Sequence, residues 1–344
     1  MKRILSLGYG MVDGYEKVKS GDLSSRLYYG LMELHNKYMI KQLSLCSKGG
    51  FKGFLKKNLQ ALDVCDIVFM SYFYVSPLLF LSLLKTIGLL KRRLIVVSHH
   101  SLVLPSNVIK RAIYRMVYSS IDMFIFHSQR NLDESVAMNI IKKQKTDFVF
   151  WGEILNFIDN SFIISDLGFF ISTGRENRDF AMLVEAFSQS SANLELYTNK
   201  HNCKNDYSFL DDLVNKYSNV KIEFVNKDLE VARIIGQRTA MSRCVVIPLL
   251  RQSVDYCVGL TSIVEAMAMG KPIISSPNPY SPINIEEAGI GFYADTLEEW
   301  RSAIEFINSN PRKAHEMGRK ARVLAEKYYN IEVFANRLDF HFSR

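Results

Sequence analysis

The segment 259–272 combines residue types that bind anions at the start of a helix. It follows an apolar, strand-like run at 244–250, and the hydroxyls of Thr261 and Ser262 can cap a helix that Gly270 ends. The free backbone N–H groups and the dipole at a helix start favour a negatively charged group such as a phosphate. This segment therefore predicts an anion site at a strand–helix junction.

A carboxylate, Glu265, lies in the predicted first turn of the same helix. Two interpretations stay open from the residues alone. In the first, Glu265 contacts a polar group of a ligand that is bound at the helix start. In the second, Ser262-x-x-Glu265 is a capping box, in which the carboxylate only accepts a hydrogen bond from the backbone N–H of Ser262.

A second candidate anion site follows the predicted strand 168–172. Gly174 provides a turn there, and Arg175 and Arg178 precede a predicted helix at 182–189. Guanidinium groups bind phosphate oxygens through paired hydrogen bonds, so this loop is a candidate phosphate clamp. In the alternative interpretation, Arg178 only pairs with a neighbouring carboxylate on the surface.

Alternating strands and helices along the chain would position these loops. The predicted strands are 3–7, 40–46, 66–71, 94–98, 122–127, 146–150, 168–172, 194–198, 220–225, 244–250, 272–275 and 289–293. Besides the short helix in the first segment, the predicted helices are 24–36, 52–61, 78–90, 107–119, 131–141, 182–189, 207–217, 228–239, 296–308, 312–328 and 331–342. This alternation predicts an α/β fold with parallel sheets covered on both faces.

Two adjacent histidines, His99 and His100, directly follow the predicted strand 94–98. In an open α/β sheet the carboxyl ends of the strands face the ligand crevice. A histidine at such a place is often polar filler, and two together favour a role in binding or catalysis.

Length and composition agree with a folded chain of two domains. The chain has 344 residues, of which 48% are hydrophobic and 23% are charged. Its five cysteines form no Cys-x-x-Cys pair, which argues against a disulfide framework or structural zinc and predicts a cytoplasmic protein. The first residues do not build the apolar core of a signal peptide. The uncharged stretch 67–84 contains a polar break and is interpreted as a strand and a buried helix.

Positive charge is concentrated in the first half of the chain. Residues 1–160 hold 22 Lys and Arg against 12 Asp and Glu, whereas residues 161–344 hold 21 against 23. A basic first half suggests an anionic partner, such as a membrane surface, a lipid-diphosphate acceptor or nucleic acid.

One basic segment has the pattern of a helix at an anionic membrane surface. Phe51 and Phe54 share one face at helical spacing, and Lys52, Lys56 and Lys57 flank that face. An ordinary surface helix with a solvated basic face explains the same pattern equally well.

The glycines at 8–14 resemble a nicotinamide-binding fingerprint, so a dehydrogenase is an alternative. Two observations weaken it. The segment 13–22 is polar and aperiodic where the fingerprint needs a helix, and the strand 40–46 does not end in the acidic residue that would bind a ribose.

The run from Gly259 to Pro272, Gly-x-Thr-Ser-x-x-Glu-Ala-Met-Ala-x-Gly-Lys-Pro, resembles the signature of the group 1 (GT4-type) glycosyltransferases. The resemblance covers about 168–330 well and the first half of the chain more loosely. It implies the GT-B fold: two Rossmann-like domains whose parallel sheets face a central cleft. The expected boundaries are 1–155 for an acceptor-side domain and 156–330 for a donor-binding domain, with helix 331–344 packed back on the first domain.

The resemblance also implies roles for individual residues. The helix start holds the donor diphosphate, the Glu in the place of Glu265 binds the donor ribose, and both cations of the Gly-Arg…Arg loop contact the diphosphate. The histidine that precedes Ser101 lies near the donor sugar, which makes His100 the catalytic candidate together with Arg175 and Glu265. The expected donor-binding residues are Gly174, Arg175, Arg178, Asp255, Gly259, Leu260, Thr261, Ser262 and Glu265.

The chain departs from this family at one site position. Many members have an acidic residue eight positions before the Glu, where this chain has Cys257, and Asp255 is the nearest carboxylate. Either Asp255 takes that place or the chain belongs to a subgroup without it.

The function implied is retaining transfer of a sugar from a nucleotide-diphosphate sugar to a lipid-linked or polysaccharide acceptor, at the inner face of the cytoplasmic membrane. The resemblance also implies that no metal and no other cofactor are needed, and the absence of an Asp-x-Asp sequence from the chain is consistent with this. No nucleic acid partner is expected. The alternative is a GT-B protein that binds a nucleotide sugar without transferring it.

Overall fold

The computed structural model describes residues 1–8, 18, 28–44, 62, 64–201, 205–225 and 229–344. The chain forms two compact units. The first contains Met1–Phe150 and Ile331–Arg344, and the second contains Trp151–Asn330. The chain passes from the first unit to the second a few residues before the boundary that the sequence predicts at 155.

The first unit contains a six-stranded parallel sheet of order β2-β1-β3-β4-β5-β6. Its strands are β1 (Arg3–Gly8), β2 (Met39–Ser44), β3 (Ile67–Met70), β4 (Arg93–Ser98), β5 (Met123–Phe126) and β6 (Thr146–Phe148). The central strands are short apolar runs that are buried on both faces, as parallel sheets require. Helices α1 (Val75–Thr86), α2 (Val108–Ser120) and α3 (Gln129–Ala137) connect consecutive strands.

The second unit contains another six-stranded parallel sheet, of order β12-β11-β10-β7-β8-β9. Its strands are β7 (Phe169–Thr173), β8 (Asn193–Thr198), β9 (Val220–Phe224), β10 (Cys244–Ile247), β11 (Ile273–Ser275) and β12 (Gly291–Tyr293). Its helices are α4 (Leu155–Ser161), α5 (Phe180–Ser188), α6 (Leu229–Met241), α7 (Leu260–Ala268), α8 (Leu297–Ser309) and α9 (Pro311–Lys327). The α/β class with parallel sheets, predicted from the sequence, is confirmed.

The last helix, α10 (Ile331–Ser343), belongs to the first unit. Its buried side chains include Phe334, Leu338 and Phe342. Polar contacts fix its outer edge: the carboxylate of Asp147 in β6 accepts hydrogen bonds from the Arg337 guanidinium at 2.5 and 2.9 Å.

Two predicted helices differ in the structure. In the described part of 24–36, residues 28–37 form short turns, because Tyr29 and Gly30 have φ angles of 51° and 69° that an α-helix does not allow. In 207–217 only a 3-10 helix, Ser208–Leu213, forms, and the φ angle of 62° at Asn215 excludes an α-helix beyond it. The predicted helix 52–61 lies outside the described residues.

In the described part of the chain, every helix is too short or too polar to cross a membrane.

Candidate functional site

The order of strands in the second sheet reverses between β7 and β10. The chain runs outward from β7 through β8 to β9 and then returns to place β10 on the other side of β7. In open α/β sheets, ligands bind outside the carboxyl ends of the strands at such a switch point. The loops that follow β7 and β10 are the two segments that the sequence marks as anion sites.

Hydrogen bonds join these two loops directly. The N–H of Asp179 donates to the carbonyl of Pro248 at 3.1 Å, and the N–H of Leu250 donates to the carbonyl of Asn177 at 3.1 Å. The hydroxyl of Tyr256 donates to a carboxylate oxygen of Glu176 at 3.1 Å. The loop after β7 and the loop that leads to α7 therefore form one connected surface.

The start of α7 differs in detail from the prediction. The N-cap residue is Gly259, which has a φ angle of 89°, and the helix has no side-chain cap. The expectation that Thr261 and Ser262 cap this helix is wrong, because Gly259 adopts the left-handed conformation and the helix already begins at Leu260. The start is thus open to a ligand that accepts hydrogen bonds from first-turn N–H groups.

The polar residues inside α7 differ in their exposure to solvent. Thr261 is exposed, whereas Ser262 is buried. Glu265 is half-buried and lies in the second turn, not in the first. The capping-box interpretation fails, because Ser262 lies inside the helix and is not its N-cap residue.

The two cations of the loop after β7 lie in different environments. Arg175 is exposed, whereas Arg178 is only 5% exposed. Arg178 Nη1 donates to the carbonyl of Glu176 at 2.7 Å, and a Cβ atom at Gly174 would lie 2.7 Å from Arg178 Nη2. The Arg178 side chain thus lies against Gly174, whose φ angle of 134° favours glycine.

A tyrosine that the sequence analysis missed supports this loop. The hydroxyl of Tyr207 accepts a hydrogen bond from the backbone N–H of Arg178 at 3.0 Å, and Tyr207 is buried. Burial lowers the pKa of Arg178, but a guanidinium keeps its proton in proteins. The site therefore carries a buried positive charge, and among the described residues Arg178 Nε has no hydrogen-bond acceptor.

Position 257, where the family pattern has a carboxylate, is a cysteine in this chain. Cys257 is buried, and burial raises the pKa of its thiol to about 12, so it stays protonated. Asp255 is exposed in the same loop.

The first unit brings a histidine pair to the carboxyl end of its own sheet. His99 follows β4 and His127 follows β5, and their rings lie 5.4 Å apart. His99 Nε2 hydrogen-bonds the Tyr29 hydroxyl at 2.9 Å, and His127 Nδ1 hydrogen-bonds the carbonyl of Val149 at 3.0 Å. Burial lowers the pKa of His99 well below its usual value and that of His127 to about 4, so both rings are neutral at pH 7.

His100, the residue chosen from the sequence, is half-buried beside this pair, and its carbonyl accepts a hydrogen bond from the Ser98 hydroxyl at 2.8 Å. His127 and Tyr29 were missed. A polar residue directly after the buried strand β5 was the signal that could have identified His127. Tyr29 lies in a turn and gives no such signal.

Other predictions fall outside the described residues. These include the membrane-surface set Phe51, Lys52, Phe54, Lys56 and Lys57, most of the glycine fingerprint at 8–14, and part of the expected nucleobase pocket near 225–229. Among the described residues, no group of three or more His, Cys, Asp or Glu side chains could hold a metal ion.

The chain matches known proteins in structure, but comparison by sequence finds no match. No family model matches the chain, and no curated protein matches it by sequence. HepE of Anabaena, solved in complex with UDP, aligns over 99% of both chains at 15% identity with a TM-score of 0.67. The lipopolysaccharide outer core galactosyltransferase WaaB aligns over 99% of both chains at 14% identity with a TM-score of 0.60.

A third match is named for a different activity. A Listeria monocytogenes protein assigned as a UDP-N-acetylglucosamine 2-epimerase aligns over 98% of this chain and 95% of its own, at 11% identity with a TM-score of 0.58. The chain therefore has the GT-B fold that glycosyltransferases such as WaaB share, as the sequence predicts. The fold by itself does not choose among activities.

Proposed function

We propose that the protein is a glycosyltransferase that takes its sugar from a nucleotide-diphosphate donor. The observation that carries this proposal is the meeting of two anion-binding features at the switch point of the second sheet. One is the uncapped start of α7, and the other is the Arg175–Arg178 loop, which backbone hydrogen bonds hold against the loop after β10. A diphosphate bound there would receive hydrogen bonds from the helix start and positive charge from the loop.

The same arrangement can stabilise the leaving group. When the bond from the sugar to the diphosphate breaks, negative charge develops on the phosphate oxygens. Fixed N–H groups and cations at that place lower the barrier, because they need little reorganisation during the reaction. We assign direct contact with the phosphate to the exposed Arg175, and a supporting charge beneath Gly174 to the buried Arg178.

The remaining assignments follow from the resemblance and are part of the proposal. Glu265 binds the donor ribose, Gly174, Gly259, Leu260, Thr261 and Ser262 surround the diphosphate, and Asp255 takes the place of the acidic residue absent at Cys257. His100 lies near the donor sugar. Transfer retains the anomeric configuration without a metal ion, and the acceptor is a lipid-linked or polysaccharide glycan.

A binding and transfer experiment tests the proposal. Calorimetric titration with UDP, GDP and ADP measures diphosphate binding, and a panel of nucleotide sugars with bacterial membrane extract measures transfer. Arg175→Ala is expected to lower the transfer rate by about 100-fold, the usual effect of losing one group that stabilises developing charge. Arg312→Ala, which removes an exposed cation from α9, is the matched control and should leave the rate unchanged.

The outcomes separate the alternatives. Diphosphate binding without turnover on any donor would support a binding protein that lacks transfer activity. Inversion of a sugar hydroxyl in a nucleotide sugar, followed by nuclear magnetic resonance, would indicate an epimerase. No binding of any of the three nucleotides would reject the proposal.

We also propose peripheral contact with the cytoplasmic face of an anionic membrane. At the start of α2, Val108 and Ile109 are 75% and 73% exposed next to the exposed Lys110 and Arg111, and residues 101–121 contain no Asp or Glu. Exposed apolar side chains beside cations suit an anionic lipid surface. Flotation with phosphatidylserine vesicles tests this proposal, and equal binding to neutral vesicles would contradict it.

A further inference from the structure

Asn278 is a buried residue whose amide group donates two hydrogen bonds to one loop. It follows β11 at the carboxyl edge of the second sheet and is 8% exposed. Its Nδ2 donates to the carbonyl of Tyr256 at 3.1 Å and to that of Val258 at 3.0 Å. Its Oδ1 accepts a hydrogen bond from the N–H of Tyr280 at 2.8 Å.

The loop that Asn278 holds leads directly into α7. The N–H of Val258 donates to the carbonyl of Tyr256 at 2.7 Å, and the N–H of Leu260 donates to that of Cys257 at 3.1 Å. These bonds make a tight turn that ends at Gly259, the N-cap residue. The two carbonyls that Asn278 binds therefore fix the backbone immediately before the helix start.

The same turn also reaches the arginine loop. Tyr256, whose carbonyl Asn278 binds, donates its hydroxyl to Glu176, and the carbonyl of Glu176 accepts from Arg178 Nη1. A shift of the turn would thus change both the helix start and the contact beside Arg178. Ser276 adds a second link from the segment after β11, because its Oγ accepts a hydrogen bond from the N–H of Leu249 at 2.9 Å.

We propose that Asn278 is a positioning residue for binding of the donor diphosphate, which it controls through the turn that precedes α7. This inference rests on the proposed function, because it assumes that the helix start holds a phosphate. Asn278 does not touch the ligand in this account. It sets the place and direction of the groups that do.

The chain offers a matched control for a purely structural role. Asn219 also holds a loop by its amide, because its Nδ2 donates to the carbonyls of Phe187, Ser190 and Ala192 at 2.8, 3.0 and 2.9 Å. It lies directly before β9, at the opposite, amino edge of the same sheet. Its replacement should disturb stability in a similar way without moving the start of α7.

The test compares Asn278→Asp with Asn219→Asp. Each change replaces the donating amide by a group of the same shape that, when ionised, can only accept. Both variants are expected to melt at lower temperature than the wild type. Only Asn278→Asp is expected to lose nucleotide affinity, by about 10- to 100-fold for UDP, because a displaced helix start would lose about one hydrogen bond to the charged diphosphate. Calorimetric titration and thermal unfolding measure the two properties.

A second variant keeps the test decisive if Asn278→Asp folds poorly, and a pH titration of Asn278→Asp adds a further readout. Asn278→Ser keeps one short donor and should show a smaller loss of affinity. In Asn278→Asp, affinity should recover partly as the pH falls and the new carboxyl group gains a donating proton. Equal UDP affinity of both Asn278 variants and wild type would overturn the inference alone. Failure of the wild type to bind UDP, GDP or ADP would overturn the proposed function and the inference together.

Discussion

His127 is buried in its neutral form, and the pKa of the half-buried His99 beside it is lowered as well, which makes the first unit sensitive to acid. The usual pKa of histidine is near 6.5, and burial lowers that of His127 to about 4 in the folded chain. Between these values the unfolded chain takes up a proton that the folded chain does not. The contribution of His127 to the free energy of unfolding is therefore complete above pH 6.5 and is lost as the pH falls toward 4.

We predict that His127→Gln reduces this loss. The histidine contributes up to about 3 kcal/mol to the difference in unfolding free energy between pH 7 and pH 4, since one pKa unit corresponds to about 1.4 kcal/mol. Urea denaturation across that range should show a shallower pH dependence for the variant. His315→Gln, which changes an exposed histidine in α9, is the control, and identical slopes for the two variants would contradict the prediction.

Arg175 and Arg178 show what the sequence reveals about single residues. Both were predicted as diphosphate ligands from their place after a strand. Their different exposure could not be predicted, because it depends on tertiary contacts such as the hydrogen bond from the Arg178 N–H to the hydroxyl of Tyr207, which lies 29 residues later in the chain. Cys257 shows the same limit. The sequence reveals that a cysteine replaces the carboxylate of the family pattern, but it does not reveal that the thiol is buried.

Among the elements, α7 and α9 approach so closely that their contact admits only glycine. A Cβ atom at Gly318 in α9 would lie 2.0 Å from the carbonyl oxygen of Gly270, directly after α7. Because the contact is to backbone, the helices would have to move apart.

We predict that Gly318→Ala destabilises the second unit by about 1–3 kcal/mol, the usual effect of overpacking, although alanine favours a helix. Gly236→Ala in α6 is the control. There the new Cβ would meet the ring of Phe162 at 2.5 Å, and a side chain can rotate away. Chemical denaturation of both variants measures the difference, and a neutral Gly318→Ala would refute the close contact.

The elements themselves were largely predictable, and the exceptions have local causes. Apolar runs between turn residues marked the described strands to within a few residues. The predicted caps of α7 were wrong, because Thr261 and Ser262 are good capping residues and nothing in the sequence shows that Gly259 takes the left-handed conformation. The helix predicted at 207–217 had the right apolar spacing, but Tyr207 and Leu210 are buried by tertiary packing on a 3-10 turn.

At the scale of the whole molecule, α10 completes the first unit. Besides its buried aromatic residues, Lys37 donates to the carboxylate of Asp339 at 2.6 Å, and His341 Nε2 lies 2.6 Å from an oxygen of Asp147. Arg93 Nη1 donates to the carbonyl of His341 at 2.8 Å. The edge strand β6, the inner strand β4 and the turn before β2 are thus tied to this helix.

We predict that a chain ending at Asn330 loses stability in the first unit only. It would expose the surface that Phe334, Leu338 and Phe342 cover, and each such side chain contributes about 1.5–3 kcal/mol. Calorimetry should show an earlier or absent transition for the first unit and an unchanged one for the second. Removal of Arg344 alone is the control. If the shortened chain showed the same melting profile as the full-length protein, the prediction would be contradicted.

The chain enters the second unit after Phe150 and leaves it before Ile331, and these two crossings lie side by side. Gly152 packs so closely on Tyr329 that a Cβ atom would lie 1.9 Å from its carbonyl, and Glu153 pairs with Asn330 in a β-bridge. In topological terms the second unit is an insertion whose ends meet. A gene fragment for residues 151–330 should therefore encode a polypeptide that folds by itself. In the first unit, a short linker should be able to join residue 150 to residue 331.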